Sequence, residues 1–300
     1  MGGENHRRKI VSVETISTSY PPLIDPASYY ILLLTDGTKI QIDAGANPNP
    51  PKTANTVLAT HWHWDHLYGL VGAPPSKVYI SKNSFQLVNG QLALSRMQNV
   101  IKAVIGEHAW EPVKEAAEAF ASRYDEIRDA LQSKHEVIFL EESEDPLPLG
   151  FKVLTCPGHS DDHLCYLKDT HIFVGDNVVY PGAVSLTHLL KYRETIAKIL
   201  AEPNWKTLYP GHGKPIGRQE TLKWFLRTYK SKEKRMCRLS LLLGKGVKLI
   251  EALNHIYGKL DGILYYVAAR SLLGYIRALE DVGLVEVDKS VSPWKIKLKD

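Results

Sequence analysis

The six residues from His61 to His66 constrain this chain more than any other stretch, because they contain three histidines and one aspartate. They directly follow the apolar run 56–59, which is typical of a buried strand. Imidazole and carboxylate groups crowded at a strand end repel one another or stay unsatisfied unless a cation joins them. A polar loop with coincidental histidines is the alternative, but these ligand types match a borderline metal such as zinc. The stretch therefore predicts a metal site.

Three later segments each place one ligand-type residue just past an apolar run that predicts a strand. These residues are His159, Asp176 and His212. Glycine or proline lies beside each of them and allows the unusual backbone angles of a tight turn. Because open sheets usually place their active sites at the ends of their strands, we expect these side chains to converge with the first group.

The combined pattern, His61-x-His63-x-Asp65-His66 followed by the three later residues, resembles the metallo-β-lactamase superfamily of binuclear metal hydrolases. The resemblance extends over residues from about 10 to 215, in the same order. It implies an α+β fold, the αβ/βα sandwich of that superfamily. It also implies seven metal ligands in three groups: His61, His63 and His159 for the first ion, Asp65, His66 and His212 for the second, and Asp176 between the two ions.

Residues near these ligands are candidates for supporting roles, Asp43 from the resemblance and three others from their positions in the sequence. Asp43 matches the aspartate that supports the metal site of the family. His163 would orient a ligand or donate a proton to the leaving group, or it is a hydrogen-bonded structural histidine, which is the interpretation we favour. Tyr180 and Tyr192 are candidate substrate contacts.

The implied cofactors are two divalent metal ions, with zinc as the expected metal and iron or manganese as alternatives. They would share a water molecule and lower its pKa, and the resulting hydroxide would attack a carbonyl or phosphorus centre. Asp65, besides being a ligand, is the best placed general base. The chain is therefore predicted to be a metal-dependent hydrolase.

The sequence leaves the substrate open. We expect a small molecule with an ester, thioester or lactone bond, together with promiscuous activity on phosphoesters. The alternatives are an endoribonuclease or phosphodiesterase that acts on RNA, and an inactive nucleic-acid-binding regulator, against which the complete ligand set argues. The chain resembles both hydroxyacylglutathione hydrolases and lactamase-like endoribonucleases, although the basic glutathione-binding features of the former are not found around His212.

The chain is predicted to divide into a catalytic domain at residues 1–216, a connecting basic helix at 217–237 and a C-terminal unit at 238–300. Helical periodicity from about 84 to 133 predicts an insert in the first domain, which covers a sheet, shapes the substrate pocket or does both. The basic run 223–238 is a solvated helix face or a phosphate-binding track.

The C-terminal unit combines two amphipathic helices with a β-hairpin, an order that resembles a winged-helix domain. Its second helix offers only Arg270 and Arg277 among many apolar groups, which does not favour the reading of DNA bases. We therefore expect a packing or dimerisation module that closes one side of the cleft and through which the chain would form a homo-oligomer.

Composition and charge limit the partners and the cellular location that can be expected. A net charge of +4 and a pI near 8.7 are mildly basic and do not by themselves argue for nucleic acid. No signal-peptide pattern and no run apolar enough to span a bilayer are found, so no membrane partner is expected. The three cysteines are odd in number and form no disulfide framework, which favours a reducing, cytoplasmic location.

Overall fold

The chain, in a computed structural model, is described over residues 8–21, 26–140, 149–244, 246–260 and 262–299. Its strands are β1 (Ile10–Thr18), β2 (Ala27–Leu34), β3 (Lys39–Ile42), β4 (Thr56–Leu58), β5 (Lys77–Ser81), β6 (Glu136–Leu140), β7 (Lys152–Thr155), β8 (Leu164–Lys168), β9 (His171–Val179), β10 (Thr207–His212), β11 (Ile216–Gly217), β12 (Val247–Lys248), β13 (Val285–Asp288) and β14 (Lys295–Leu298). Its helices are α1 (Trp64–Leu67), α2 (Lys82–Leu87), α3 (Gly90–Val104), α4 (Lys114–Ser133), α5 (Leu189–Ala201), α6 (Arg218–Leu243), α7 (Leu249–Tyr257) and α8 (Gly262–Asp281).

The strands from β1 to β11 form one curled sheet with two halves. In the first half the order is β6-β5-β4-β3-β2, with β1 beside β2, and β3 to β6 run parallel. In the second half the order is β10-β9-β8-β7, with β11 beside β10. The halves join where His212 of β10 pairs with Ala27 of β2.

Apolar side chains from both halves pack against each other and form the central core. Leu32 and Ile42 of the first half share one buried cluster with Phe173 and Tyr209 of the second half. Helices α1 and α4 cover the outer face of the first half, and α5, α6 and α8 cover that of the second half. This layering confirms the predicted mixed α/β architecture.

The predicted helical insert consists of α2, α3 and α4. Two polar side chains start the first two of these helices, because Ser81 accepts a hydrogen bond from the Ser84 amide and Asn89 accepts one from the Leu92 amide. The apolar stripe of α4 then packs on β4 and β5 in a buried cluster. The insert therefore covers the sheet, and α3 continues beyond it to contact α8.

The C-terminal helices and hairpin share a continuous buried cluster with the second half of the sheet. Leu272 and Tyr275 of α8 and Ile296 of β14 belong to the same cluster as Ile172 of β9. The predicted hairpin is present as β13 and β14, and β12 adds a third antiparallel strand beside β14. The predicted domain boundaries and the winged-helix assignment stay predictions. Among the described residues, no helix combines the length and apolar character that crossing a bilayer requires.

A lysine is buried in α6, where a charged group is normally exposed. The Lys232 ammonium donates a hydrogen bond of 3.0 Å to the Val184 carbonyl, and no described carboxylate lies within ion-pair distance of it. Burial lowers the pKa of Lys232 to about 7, and Arg235 acts in the same direction. The folded chain therefore binds this proton much more weakly than the unfolded chain does.

We expect the free energy of unfolding to rise between pH 7 and pH 10, because the unfolded chain keeps the Lys232 proton up to its ordinary pKa of 10.5 and the folded chain loses it near 7. The gain would reach at most about 4 kcal/mol. Lys232→Met should abolish this part of the pH dependence, measured by urea unfolding at several pH values. The exposed Lys230→Met on the same helix is the control. Parallel pH profiles for wild type and Lys232→Met would contradict the prediction.

Candidate metal centre

Four donor atoms from three separate segments of the chain converge in a first buried cluster. The Nδ1 atom of His63 lies 2.8 Å from Nε2 of His61 and 2.9 Å from Nε2 of His159. The Asp176 Oδ2 atom lies 3.4 Å from the same His159 nitrogen and 4.0 Å from the His61 nitrogen. Three imidazole nitrogens at such separations surround a point that a metal ion could occupy.

A second cluster lies on the other side of Asp176. The Oδ1 atom of Asp176 is 3.1 Å from Nε2 of His66 and 3.4 Å from Nε2 of His212. The Asp65 Oδ2 atom lies 3.3 Å from the His212 nitrogen and 3.8 Å from the His66 nitrogen. Each carboxylate oxygen of Asp176 therefore faces a different cluster, as the bridging position requires.

The residues present fit a pair of divalent ions. The His66 Nε2 and Asp176 Oδ1 atoms are buried, yet among the described residues neither has a hydrogen-bond partner of good geometry. A buried polar atom without a partner is costly, and a cation between these two atoms would satisfy both. The first cluster offers three nitrogens and one oxygen, and the second offers two of each, which are the ligand types of zinc and of other divalent metals.

The two clusters hold protons differently. In the first cluster, burial lowers the pKa of all three histidines, that of His159 to about 4, so the rings are neutral and able to bind a metal. In the second cluster, burial also acts to lower the pKa, but the carboxylate of Asp176 and its neighbours raise that of His66 well above its ordinary value and that of His212 to about 10. An ion at this second cluster would take the place of those protons.

Asp43 orients His66 from behind the second cluster. It follows β3 in a left-handed backbone conformation with φ 58°, which aspartate tolerates better than most residues. Its carboxylate accepts hydrogen bonds from the Thr60 amide at 2.7 Å and the Thr60 hydroxyl at 2.8 Å. Because the same carboxylate lies 2.8 Å from Nδ1 of His66, the Nε2 atom of that ring is turned toward the cluster.

Two further histidines of the clusters are also held through their second ring nitrogen. Nδ1 of His159 lies 2.9 Å from the Ser185 carbonyl, and Nδ1 of His212 lies 3.0 Å from the Pro26 carbonyl. Such partners fix the ring orientation and leave the other nitrogen free to bind a metal. The backbone carbonyls that do this could not be identified from the sequence.

Asp162 is a supporting residue that the sequence analysis missed. Its buried Oδ2 atom accepts hydrogen bonds from the Trp62 amide at 2.9 Å and the Ser84 hydroxyl at 2.5 Å. Since Trp62 separates His61 and His63, this carboxylate fixes the loop that carries the first two ligands. The sequence signal that could have identified Asp162 is its position three residues after His159, within the same polar turn.

The structure does not bring the remaining predicted residues to the cavity above the clusters. His163 is buried behind His61, with the two rings stacked 4.6 Å apart, and its Nδ1 atom contacts Asn177. The Tyr192 hydroxyl donates to the Asn177 carbonyl at 3.0 Å. Tyr180 instead contacts Glu220 of α6 at 3.1 Å. Roles for these three residues in substrate binding or proton transfer stay predictions.

A cavity of about 870 Å³ opens directly over the clusters, with Asp65 and Asp176 on its wall. The wall combines residues of the metal loop, the insert helices and α8, and much of it is aromatic: Trp62, Trp64, Phe120, Tyr124, Tyr266 and Trp294. The insert therefore both covers the sheet and shapes this cavity. A volume of this size accommodates a small-molecule ligand.

The chain is similar in sequence to parts of known proteins. No protein-family model matches the chain. It is 27% identical over 171 residues to the lactamase-like protein notP of Aspergillus sp. (strain MF297-2). The aligned region covers 56% of this chain and 40% of that protein. It is 39% identical over 62 residues to the atrochrysone carboxyl ACP thioesterase AacuM of Aspergillus aculeatus, which covers 20% of each. The chain thus spans less than half the length of these two relatives.

Comparison of structures shows the metallo-β-lactamase fold. A β-lactamase domain protein from Burkholderia ambifaria superimposes with a TM-score of 0.74 at 16% identity, over 97% of this chain and 94% of that one. A metallo-β-lactamase family protein from Thermus thermophilus superimposes with a TM-score of 0.66 at 14% identity, over 96% and 98%. Both superpositions include the C-terminal helices, since they extend over nearly the whole chain.

Asp43→Asn should lower metal affinity at the second cluster by about 10- to 100-fold, because the amide no longer holds the His66 ring as a charged acceptor does. The measurement is a titration of the purified protein with zinc, followed by metal analysis. Asp169→Asn is the matched control, because Asp169 also has a positive φ, of 53°, but is exposed and belongs to neither cluster. Equal zinc affinity in the two variants would contradict this role of Asp43.

Gly211→Ala should reduce the bound metal at both clusters, because the added Cβ would lie 2.1 Å from Oδ1 of Asp176 and must displace that carboxylate. Metal content and melting temperature are measured together, so that a loss of ligands is separated from a loss of fold. Gly217→Ala is the control, since no atom lies within 4 Å of its added Cβ. Full metal content in Gly211→Ala would exclude Asp176 as the shared ligand.

Proposed function

We propose that this chain is a metal-dependent hydrolase of the metallo-β-lactamase superfamily that cleaves small ester or thioester substrates at a pair of divalent ions. The observation that carries the proposal is the placement of Asp176, whose two oxygens each complete a separate cluster of histidine and aspartate donors. Such a shared carboxylate places two cations close together, which is the arrangement that two-metal hydrolases use.

The comparisons support this proposal at two levels. The fold is that of the metallo-β-lactamase family protein named above, and a lactamase-like protein matches 56% of the chain. The match to the thioesterase is short, but its sequence identity of 39% is the higher of the two relatives described. Ester and thioester bonds share an acyl carbon that a hydroxide can attack, so both belong to one class of substrate.

The chemistry divides between the ions and the side chains around them. When bound, two divalent ions supply Lewis acidity that lowers the pKa of water and polarises the acyl oxygen of the substrate. Asp65 lies on the cavity wall, where its carboxylate can accept the proton of the attacking water. Burial by itself raises the pKa of Asp65, but His66 and His212 lower it below the ordinary value. The carboxylate is therefore ionised at neutral pH, as a proton acceptor must be.

The ligand set favours zinc and does not exclude iron or manganese, so zinc is part of the proposal. A small molecule is the proposed partner, because the cavity is lined by aromatic side chains from three parts of the chain. Formation of a homo-oligomer through the C-terminal elements and a cytoplasmic location also stay proposals.

Zinc-loaded protein should hydrolyse 4-nitrophenyl esters and acyl thioesters, and Asp65→Asn should lower kcat/KM by about 100- to 10,000-fold, because it removes the proton acceptor and weakens one ligand. His61→Ala should lose metal from the first cluster and lose activity with it. Asp129→Asn, an exposed change on α4, is the control. Activity is measured by nitrophenolate release, with metal content determined for every variant.

Single-stranded RNA is assayed in parallel with the esters. Cleavage of RNA that Asp65→Asn abolishes, without turnover of any ester or thioester, would replace the proposal by the nuclease alternative. The basic residues of α6 do not line the cavity, which is why the small-molecule substrate is preferred. Ester turnover that persists at full rate in metal-free protein would overturn the metal-dependent function itself.

A further inference from the structure

Two arginines line the cavity without a carboxylate at ion-pair distance among the described residues. Arg96 belongs to α3 and Arg270 belongs to α8, and both line the cavity over the metal clusters. No carboxylate of the described residues lies within 4 Å of either guanidinium, so neither charge is neutralised by an ion pair.

The other cationic side chains on this wall are paired. Arg277 lies 3.0 Å from Asp161, and Lys289 lies 3.2 Å from Glu280. The unpaired positive charge is therefore confined to the Arg96 and Arg270 pair and does not continue as a basic track along the cavity.

Arg270 is fixed close to the first metal cluster. Its Nη2 atom donates to the His159 carbonyl at 3.0 Å and lies 3.1 Å from Nε2 of His63. When His63 uses its Nδ1 atom as a ligand, its Nε2 atom carries the ring hydrogen and cannot accept a hydrogen bond. The His159 carbonyl is then the remaining acceptor for Nη2. The other guanidinium N–H groups of Arg270 have no partner among the described residues and are available to a ligand.

Arg96 is positioned by an aromatic ring instead of by a hydrogen bond. Its guanidinium lies over the Trp62 ring, 5.2 Å from the ring centroid, and it has no hydrogen bond to a described residue. Burial lowers the pKa of Arg96, the carboxylates of Asp162 and Asp161 act to raise it, and the charge of Arg270 acts to lower it. Helix α3, which carries Arg96, packs against α8, which carries Arg270. An anion bound by both guanidinium groups would form charge-assisted hydrogen bonds with them.

We propose that Arg96 and Arg270 bind a carboxylate on the acyl part of the substrate, so that the preferred substrates are monoesters or monothioesters of a dicarboxylic acid. The inference rests on the proposed hydrolase function and adds the chemical class of its substrate. A guanidinium fork matches a planar carboxylate in two-point contact. Because Arg270 contacts a metal-ligand histidine, the bound carboxylate lies only a short acyl chain away from the bond that is cleaved.

The pair suits a single anionic group better than a polyanion. A nucleic acid carries a phosphate at every residue and needs a continuous row of cations. Beyond the two arginines, the charged side chains of the outer wall are paired with one another, Arg277 with Asp161 and Lys289 with Glu280. They offer no further row of unpaired cations to the successive phosphates of an RNA strand, whereas a short dicarboxylic monoester needs only one cationic site.

The test compares two substrates with the same acyl length, mono-4-nitrophenyl adipate and 4-nitrophenyl hexanoate, on zinc-loaded protein, with background hydrolysis subtracted. The wild type should prefer the adipate ester in kcat/KM by about 10- to 100-fold, the range expected for a charged, hydrogen-bonded pair. Arg270→Met and Arg96→Met should each lower this ratio about tenfold. Arg277→Met should keep the ratio, because Asp161 already neutralises that arginine.

Two features of the design keep the outcomes separate. Arg96→Met touches no metal ligand, so it tests the inference even if Arg270→Met loses metal from the neighbouring cluster. Failure of the wild type to hydrolyse either ester would overturn the proposed function. Turnover of both esters with equal kcat/KM, or a ratio that neither variant changes, would overturn the carboxylate inference alone.

A binding measurement gives a readout other than activity. Free adipate, inorganic phosphate and a single-stranded RNA oligonucleotide are titrated by calorimetry into the zinc-loaded wild type and Arg96→Met. Binding of adipate that weakens about tenfold in the variant would support the inference. Binding of phosphate or RNA through Arg96, without binding of adipate, would overturn it in favour of a phosphoester substrate.

Discussion

The arrangement of this site depends on one buried carboxylate placed between two groups of imidazoles. Asp176 lies on β9, and its two oxygens face donors from both halves of the sheet. Without a cation, the histidines of the first cluster are neutral and those of the second are protonated, and the carboxylates of Asp176, Asp65 and Asp43 balance their charge. Two divalent ions would take the place of the protons, and the contacts of Asp43, the Ser185 carbonyl and the Pro26 carbonyl each orient one ring toward a cluster.

Much of the centre could be predicted because its ligands follow a local rule. Each of the seven lies within, at the end of, or a few residues after an apolar strand, and both the spacing in the first loop and the residue types are visible in the sequence. The mixed α/β fold, the helical insert and the C-terminal hairpin were predicted for a similar reason, since hydrophobic periodicity and turn residues are local signals.

The parts that could not be predicted depend on contacts between distant residues. Asp162 supports the first loop from about a hundred positions along the chain, and its separation from Trp62 hides the connection. Arg270 lies 207 residues from His63, and only the packing of α8 against the insert brings them together. Tyr180 and Tyr192 follow Asp176 closely in sequence, yet the bend after β9 and the helix α5 direct them to contacts outside the cavity. Nearness in sequence therefore predicts a ligand better than it predicts a pocket wall.

The seam between the two sheet halves has a consequence for how the protein would unfold. The halves pair at His212 and Ala27, and the second cluster takes Asp65 and His66 from one half and Asp176 and His212 from the other. An ion bound there would cross-link the two halves beside the single residue pair that joins their backbones. Separation of the sheets would then require release of that ion. Resistance to heat and denaturant would thus follow the concentration of free metal, even though most of the core lies elsewhere.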